Sequence, residues 1–157
     1  VHTGSFVWSD SITVDFQSSA ANQFNVRSSG GYRLYSDSGL NSGVTMGAGA
    51  SSWTSVSDKS VKKDFRDINS DELLKRLSEI PISRWKYIAE ESQADHIGPM
   101  SQDFYQAFGL GDDDKRISTI DADGVALAAI QALHKQNLEL KKELENLKQQ
   151  VQALSIK

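Results

Sequence analysis

Apolar residues alternate with polar ones through the first third of the chain, at Ile12, Val14 and Phe16, then Phe24 and Val26, then Tyr32 and Leu34. A period of two predicts strands with one covered face. "NQFNVRSSGGYRLYSDSG" reads as a hairpin, two alternating runs joined by a Gly-containing turn. Bulky side chains are sparse, so a lone copy would bury little area and its strands need partners from another chain or from upstream repeats. Residues 1–54 are therefore expected to be the end of a β-structured fibre or stalk.

From Ser57 onward the period changes. "NSDELLKRLSEIP" predicts an amphipathic helix, with Ser70 as N-cap, Asp71 and Glu72 in the first turn, a stripe of Leu73, Leu74, Leu77 and Ile80, and Pro81 as the stop. "ISRWKYI" alternates Ser83, Trp85 and Tyr87 against Ile82, Arg84, Lys86 and Ile88, a strand with an aromatic face. "HIGPMSQDFYQAFG" places Pro99 where a helix starts, Met100, Phe104, Ala107 and Phe108 on one side, and Gly109 as its cap. After a charged turn, "RISTI" is expected to pair as a short strand.

The last segment is heptad-patterned. With Ile130, Asn137, Leu144 and Val151 at a, and Leu133, Leu140, Leu147 and Leu154 at d, every core position over four heptads fits one register. That is a coiled coil rather than a helix packed within one chain's own core, because the polar residues leave only a narrow seam. Glu143 at g reaches Lys148 at the next e of a neighbouring helix, which favours a parallel arrangement by roughly a few tenths of a kcal/mol. The heptads alone leave strand number open. Leu at d, β-branched residues at two a positions and Asn137 at a third favour two strands in model peptides, and an attached domain can override that. The expected class is α+β: a β-fibre segment at 1–54, a small mixed α/β domain at 55–124, and a C-terminal helix at 125–157.

Composition narrows the function classes. A net charge of −4 argues against a general nucleic-acid binder, which needs clustered Lys and Arg not offset by acids. The absence of cysteine removes disulfides, thiolate nucleophiles and cysteine-based zinc sites. His2, His96 and His134 are too scattered for a His-built metal site, and Asp112, Asp113, Asp114, Asp121 and Asp123 do not match the calcium-loop spacing. Those acids read as a charged turn and a helix N-terminus. His96, just before Gly98 and Pro99, could poise a catalytic group but reads first as a hydrogen-bonded structural histidine, and Trp85 and Tyr87 read as core aromatics rather than a ligand surface. No apolar run approaches the roughly 20 residues of a membrane span and no leader pattern opens the chain, so a soluble protein is expected, without membrane, metal or cofactor. The chain opens without Met inside a strand-like pattern, as a piece of a longer protein would.

"SVSDKSVKKDF", residues 55–65, sits where the serine- and glycine-rich chain gives way to the charged one. Read locally, it is a solvated linker whose Ser57 caps a turn and whose lysines face water. Its order with three later strings gives another reading. "SDKSVK", "RWKY", "HIGPMSQDF" and "DADGVALAAIQALHKQN" running into a coiled coil resemble, over roughly residues 55–157, the intramolecular chaperone auto-processing domain, peptidase S74. That domain is found at the C-termini of phage endosialidases, tail spikes and tail fibres and of related bacterial surface proteins. Two departures are Ser101, where many members have Ala, and "SVKKDF" in the flank, which makes Lys63 a second base to exclude.

The resemblance implies a homotrimeric domain that helps the upstream β-fibre of the same chain assemble and then cuts itself off, in a phage virion tail fibre or spike or on a bacterial surface. The family's serine and the lysine five positions later carry over to Ser57 and Lys62, and the bond to be cut is the one joining Val56 to Ser57. "SD" recurs at Ser9 and Ser36, but the fifth residues after them are Val14 and Asn41. A lysine is a base only when neutral. Bringing its ordinary pKa of about 10.4 near 7 takes roughly three units, about 4 kcal/mol of desolvation and like-charge cost. Packing of neighbouring chains is expected to supply it, so that cleavage reports completed assembly. The competing expectations are a trimerisation and folding module that does not cut, and an adhesin whose function lies in the β half.

Overall fold

A computed structural model of the chain describes residues 1–155. The chain is mixed α/β, with small sheets and a long C-terminal helix, and it divides into two compact units, Val1–Phe65 and Arg66–Lys157.

In the first unit, β1 (Phe6–Ser9) pairs in parallel with β2 (Phe24–Arg27), Phe6 opposite Phe24 with their rings stacked at 5.0 Å. A second sheet runs antiparallel in the order β3 (Gly31–Tyr35), β4 (Gly43–Gly47), β5 (Thr54–Ser55). The expected hairpin between the Phe24 and Tyr32 runs is thus absent. The turn between them does form, closed by Gly31 N–H to Ser28 O and Ser28 Oγ to Gly31 O, but it passes the chain from one sheet to the other. Tyr32 Oη donates to Val26 O at 2.7 Å, taking a carbonyl that a hairpin ladder would have used. Gly31, at φ 95°, is needed there, since a Cβ would lie 2.3 Å from Met46 O.

The expected strand at Ile12, Val14 and Phe16 is also absent. Arg27 replaces a neighbouring strand: its guanidinium donates to Ile12 O at 2.8 Å and Val14 O at 2.6 Å and lies over the Phe16 ring. Asp10 anchors the same arginine, with Oδ1 3.2 Å from Arg27 Nε.

In the second unit, α1 (Ser70–Glu79) is capped by Asn69, whose side chain accepts from the amides of Asp71 and Glu72. The cap is one residue earlier than the expected Ser70, which is itself helical, because Asn69 alone has extended backbone with its carboxamide pointing at those amides. β6 (Ser83–Trp85) pairs with β7 (His96–Gly98). β6 stops at Trp85 rather than running to Ile88, since β7 offers three partners and the chain then turns. α2 (Ser101–Phe108) follows Pro99 and ends at Gly109, at φ 62°, as read from the sequence. "RISTI" is not a strand. Ser118 O accepts from the amides of Asp121 and Ala122, and α3 (Thr119–Ser155) begins inside that string.

α3 carries two apolar stripes. Val125, Ala129 and Ala132 recur at i, i+4 and i+7 and are buried with Leu73, Ile80 and Phe104, forming the core where α1 packs on α3. The heptad stripe points elsewhere. Ile130, Leu133, Leu140, Leu144, Leu147, Val151 and Leu154 are all exposed, Leu140 at 61%. Residues 156 and 157 of the expected coiled-coil segment lie outside the described residues.

Candidate active site

The stretch from Thr54 to Lys62 is built in three steps. β5 ends at Ser55, and the Val56 amide extends its ladder by donating to Gly43 O at 3.1 Å. A single 3₁₀ turn, Lys59–Val61, follows, capped by Asp58, whose Oδ1 accepts from Ser60 N and from Ser60 Oγ, both at 2.7 Å. The turn returns Lys62 to the serine: Lys62 Nζ lies 2.7 Å from Ser57 Oγ. This distance suits a hydrogen bond in either direction, from ammonium to hydroxyl or from hydroxyl to neutral amine.

The spacing of five is explained by that turn. Cap duty falls to Asp58 and leaves the Ser57 hydroxyl for the lysine, whereas a simple linker reading gave the cap to Ser57. Hydrogen bonds from Ser60, first its backbone amide and then its hydroxyl, hold the Asp58 carboxyl below the usual carboxylate range. Sequence reasoning missed this role, although Asp followed two residues later by Ser is a side-chain turn signal. It is Lys62, rather than Lys63, that the fold brings to Ser57. Lys59 lies over the Phe65 ring at 5.8 Å. Ser57 and Lys62 are both exposed to solvent in the single chain.

The two other "SD" pairs are put to different use. Asp10 holds Arg27 and the Ser29 amide, and Asp37 accepts from the amides of Gly39, Asn41 and Ser42, each tying a loop.

His96 is a hydrogen-bonded histidine, its Nε2 2.8 Å from Glu90 Oε2, stacked on Trp85 and edge-on to Tyr87. The bond from His96 and then one from Ser92 lower the Glu90 pKa. Trp85 and Tyr87 pack edge to face, ring centres 4.7 Å apart, with Trp85 Nε1 buried and without a partner among the described residues, but Tyr87 is exposed and is not the core aromatic expected, because β6 ends at Trp85 and Tyr87 lies past it. In the acidic run, Asp113 accepts the Lys115 amide and pairs with Arg116, as a charged turn does. Among the described residues, no group of three or more His, Asp or Glu side chains is placed to share a metal ion.

No curated protein matches the chain. The family model described as chaperone of endosialidase, peptidase S74, matches residues 57–109, beginning at Ser57 and ending at the Gly109 cap of α2. The stretch from the Ser57–Lys62 pair through α1 and the Trp85–His96 cluster to α2 is therefore the part of the chain that is similar to the chaperone-of-endosialidase family.

Proposed function

We propose that the chain is the C-terminal intramolecular chaperone of a β-fibre protein, that it assembles as a homotrimer, and that it releases itself by cutting the bond between Val56 and Ser57. The observation that carries this reading is the 2.7 Å approach of Lys62 Nζ to Ser57 Oγ at the first residues of the matched segment. In the step proposed, Lys62 takes the hydroxyl proton as Ser57 Oγ bonds to the Val56 carbonyl carbon. The carbon–nitrogen bond of that peptide breaks, and the proton passes to the leaving nitrogen. The resulting ester is hydrolysed by water, which yields a Val56 carboxylate and restores the hydroxyl.

The exposure of both groups in one chain gives the step its timing. A lysine acts as a base only in its neutral form, which burial favours, so the step proposed waits for a cover. Trimerisation is the proposed cover. The exposed heptad stripe of α3 and the open faces of the thin β1·β2 and β3·β4·β5 sheets supply surfaces for it. The upstream fibre is proposed to be a phage tail fibre or spike, or a bacterial surface protein. The same exposure favours one rival: a trimerisation module in which the pair is never covered and never cuts.

A longer chain carrying its fibre, folded and run on a denaturing gel, tests this. Two bands meeting at Ser57 are expected, and one full-length band for Ser57→Ala and for Lys62→Ala, with trimers still formed. A wild-type trimer that stays whole would leave the non-cutting module.

A further inference from the structure

We infer that Asp58 is the positioning residue of the cleavage step, acting by folding the turn that brings the amine to the hydroxyl; this rests on the self-cleaving reading. Five residues of extended chain span about 17 Å, well beyond a lysine side chain. Three residues of 3₁₀ turn rise only about 6 Å, so the turn at Lys59–Val61 is what brings the pair within reach in this structure.

Little else holds that turn. It buries no residue, and its one side-chain contact among the described residues beyond the cap and the Lys62–Ser57 bond is Lys59 over the Phe65 ring at 5.8 Å. Its own backbone bonds, Val61 N to Asp58 O and Lys62 N to Lys59 O, are long at 3.3 Å. The two bonds accepted by Asp58 Oδ1 from Ser60 are short at 2.7 Å. Asp58 thus spends that oxygen on Ser60, and its effect on Lys62 runs through the backbone.

The cap and the charge separate by substitution. Asn caps as well as Asp but carries no charge, whereas Ala removes the cap at a cost of about 1 kcal/mol, a factor of roughly five. In assembled trimers, with assembly checked by sedimentation, Asp58→Ala is expected to split about fivefold more slowly than wild type. Asp58→Asn should split about as fast as wild type. Independently of splitting, a nuclear Overhauser contact between the Lys62 ε-methylene and the Ser57 β-methylene should persist in wild type and Asp58→Asn and weaken in Asp58→Ala. Wild-type splitting that Asp58→Ala leaves unchanged overturns the inference, as does an Asn variant as slow as the Ala variant. If wild type does not split, the self-cleaving reading fails by itself, and an Overhauser contact indifferent to Asp58→Ala overturns the positioning role.

Discussion

The amide of Val56 donates to the carbonyl of Gly43, so the last ladder bond of the β3·β4·β5 sheet belongs to the residue just before Ser57. A cut at Val56–Ser57 would leave every bond of that sheet on the fibre side. The fragment ending at Val56 is therefore expected to keep hydrogen-exchange protection at Val44, Thr45 and Val56 equal to that of the uncut chain. Loss of protection at these amides on cutting would mean that the sheet leans on residues after Val56.

Asp10 is held to a pKa of about 2, first by hydrogen bonds from Ser29 and least by Arg27. A depressed carboxyl stabilises the fold above its unfolded value near 3.8 and loses that contribution as pH falls towards 2. The loop from Asp10 to Phe16 is expected to loosen only within that window. Arg27→Leu should leave the Asp10 titration well below 3.8, because Ser29 dominates; a carboxyl carbon titration by nuclear magnetic resonance reads this directly. An Asp10 midpoint that returns to 3.8 in Arg27→Leu would reverse the order of causes.

The α1–α3 core is small, and its first helix depends on one cap. Asn69→Ala is expected to cost about 1 kcal/mol and Asn69→Asp almost nothing. Leu73→Ala, at a site 8% exposed, should cost about 2–4 kcal/mol through lost burial and the cavity left behind. Urea midpoints of the full chain measure all three. A loss for Asn69→Asp as large as for Ala would assign the cap elsewhere.

The heptad stripe predicts where assembly fails. Leu140→Lys combined with Leu147→Lys places charges in the proposed seam, and sedimentation should then find monomer. Val125, Ala129 and Ala132 face α1 instead, so the packing of α1 on α3 should survive the double substitution, seen as unchanged near-ultraviolet dichroism. Trimers that persist would move the interface off this stripe.

How far the sequence reveals the fold depends on which groups satisfy the backbone. α2 was legible because Pro99 and Gly109 act within its own few residues, and the heptad leucines repeat often enough to define one face of α3. The strand expected at Ile12 to Phe16 failed because Arg27, distant in sequence, takes the carbonyls that a neighbouring strand would take. The hairpin failed for a related reason: the Ser28 to Gly31 turn was recognised, but a turn does not say which sheet receives the next strand. At the site, Ser57 and Lys62 came from the resemblance, and their approach needed a turn whose cap, Asp58, stood unread beside them.

Whether Ser57 attacks its own peptide bond is tested most directly by intact mass on freshly folded trimer, with and without hydroxylamine, which intercepts an ester at its carbonyl. The account predicts a fragment ending at Val56 that becomes a hydroxamate when hydroxylamine is present, a partner fragment beginning at Ser57, and neither from Ser57→Ala or Lys62→Ala. Splitting at another bond, or splitting that survives either substitution, would contradict it.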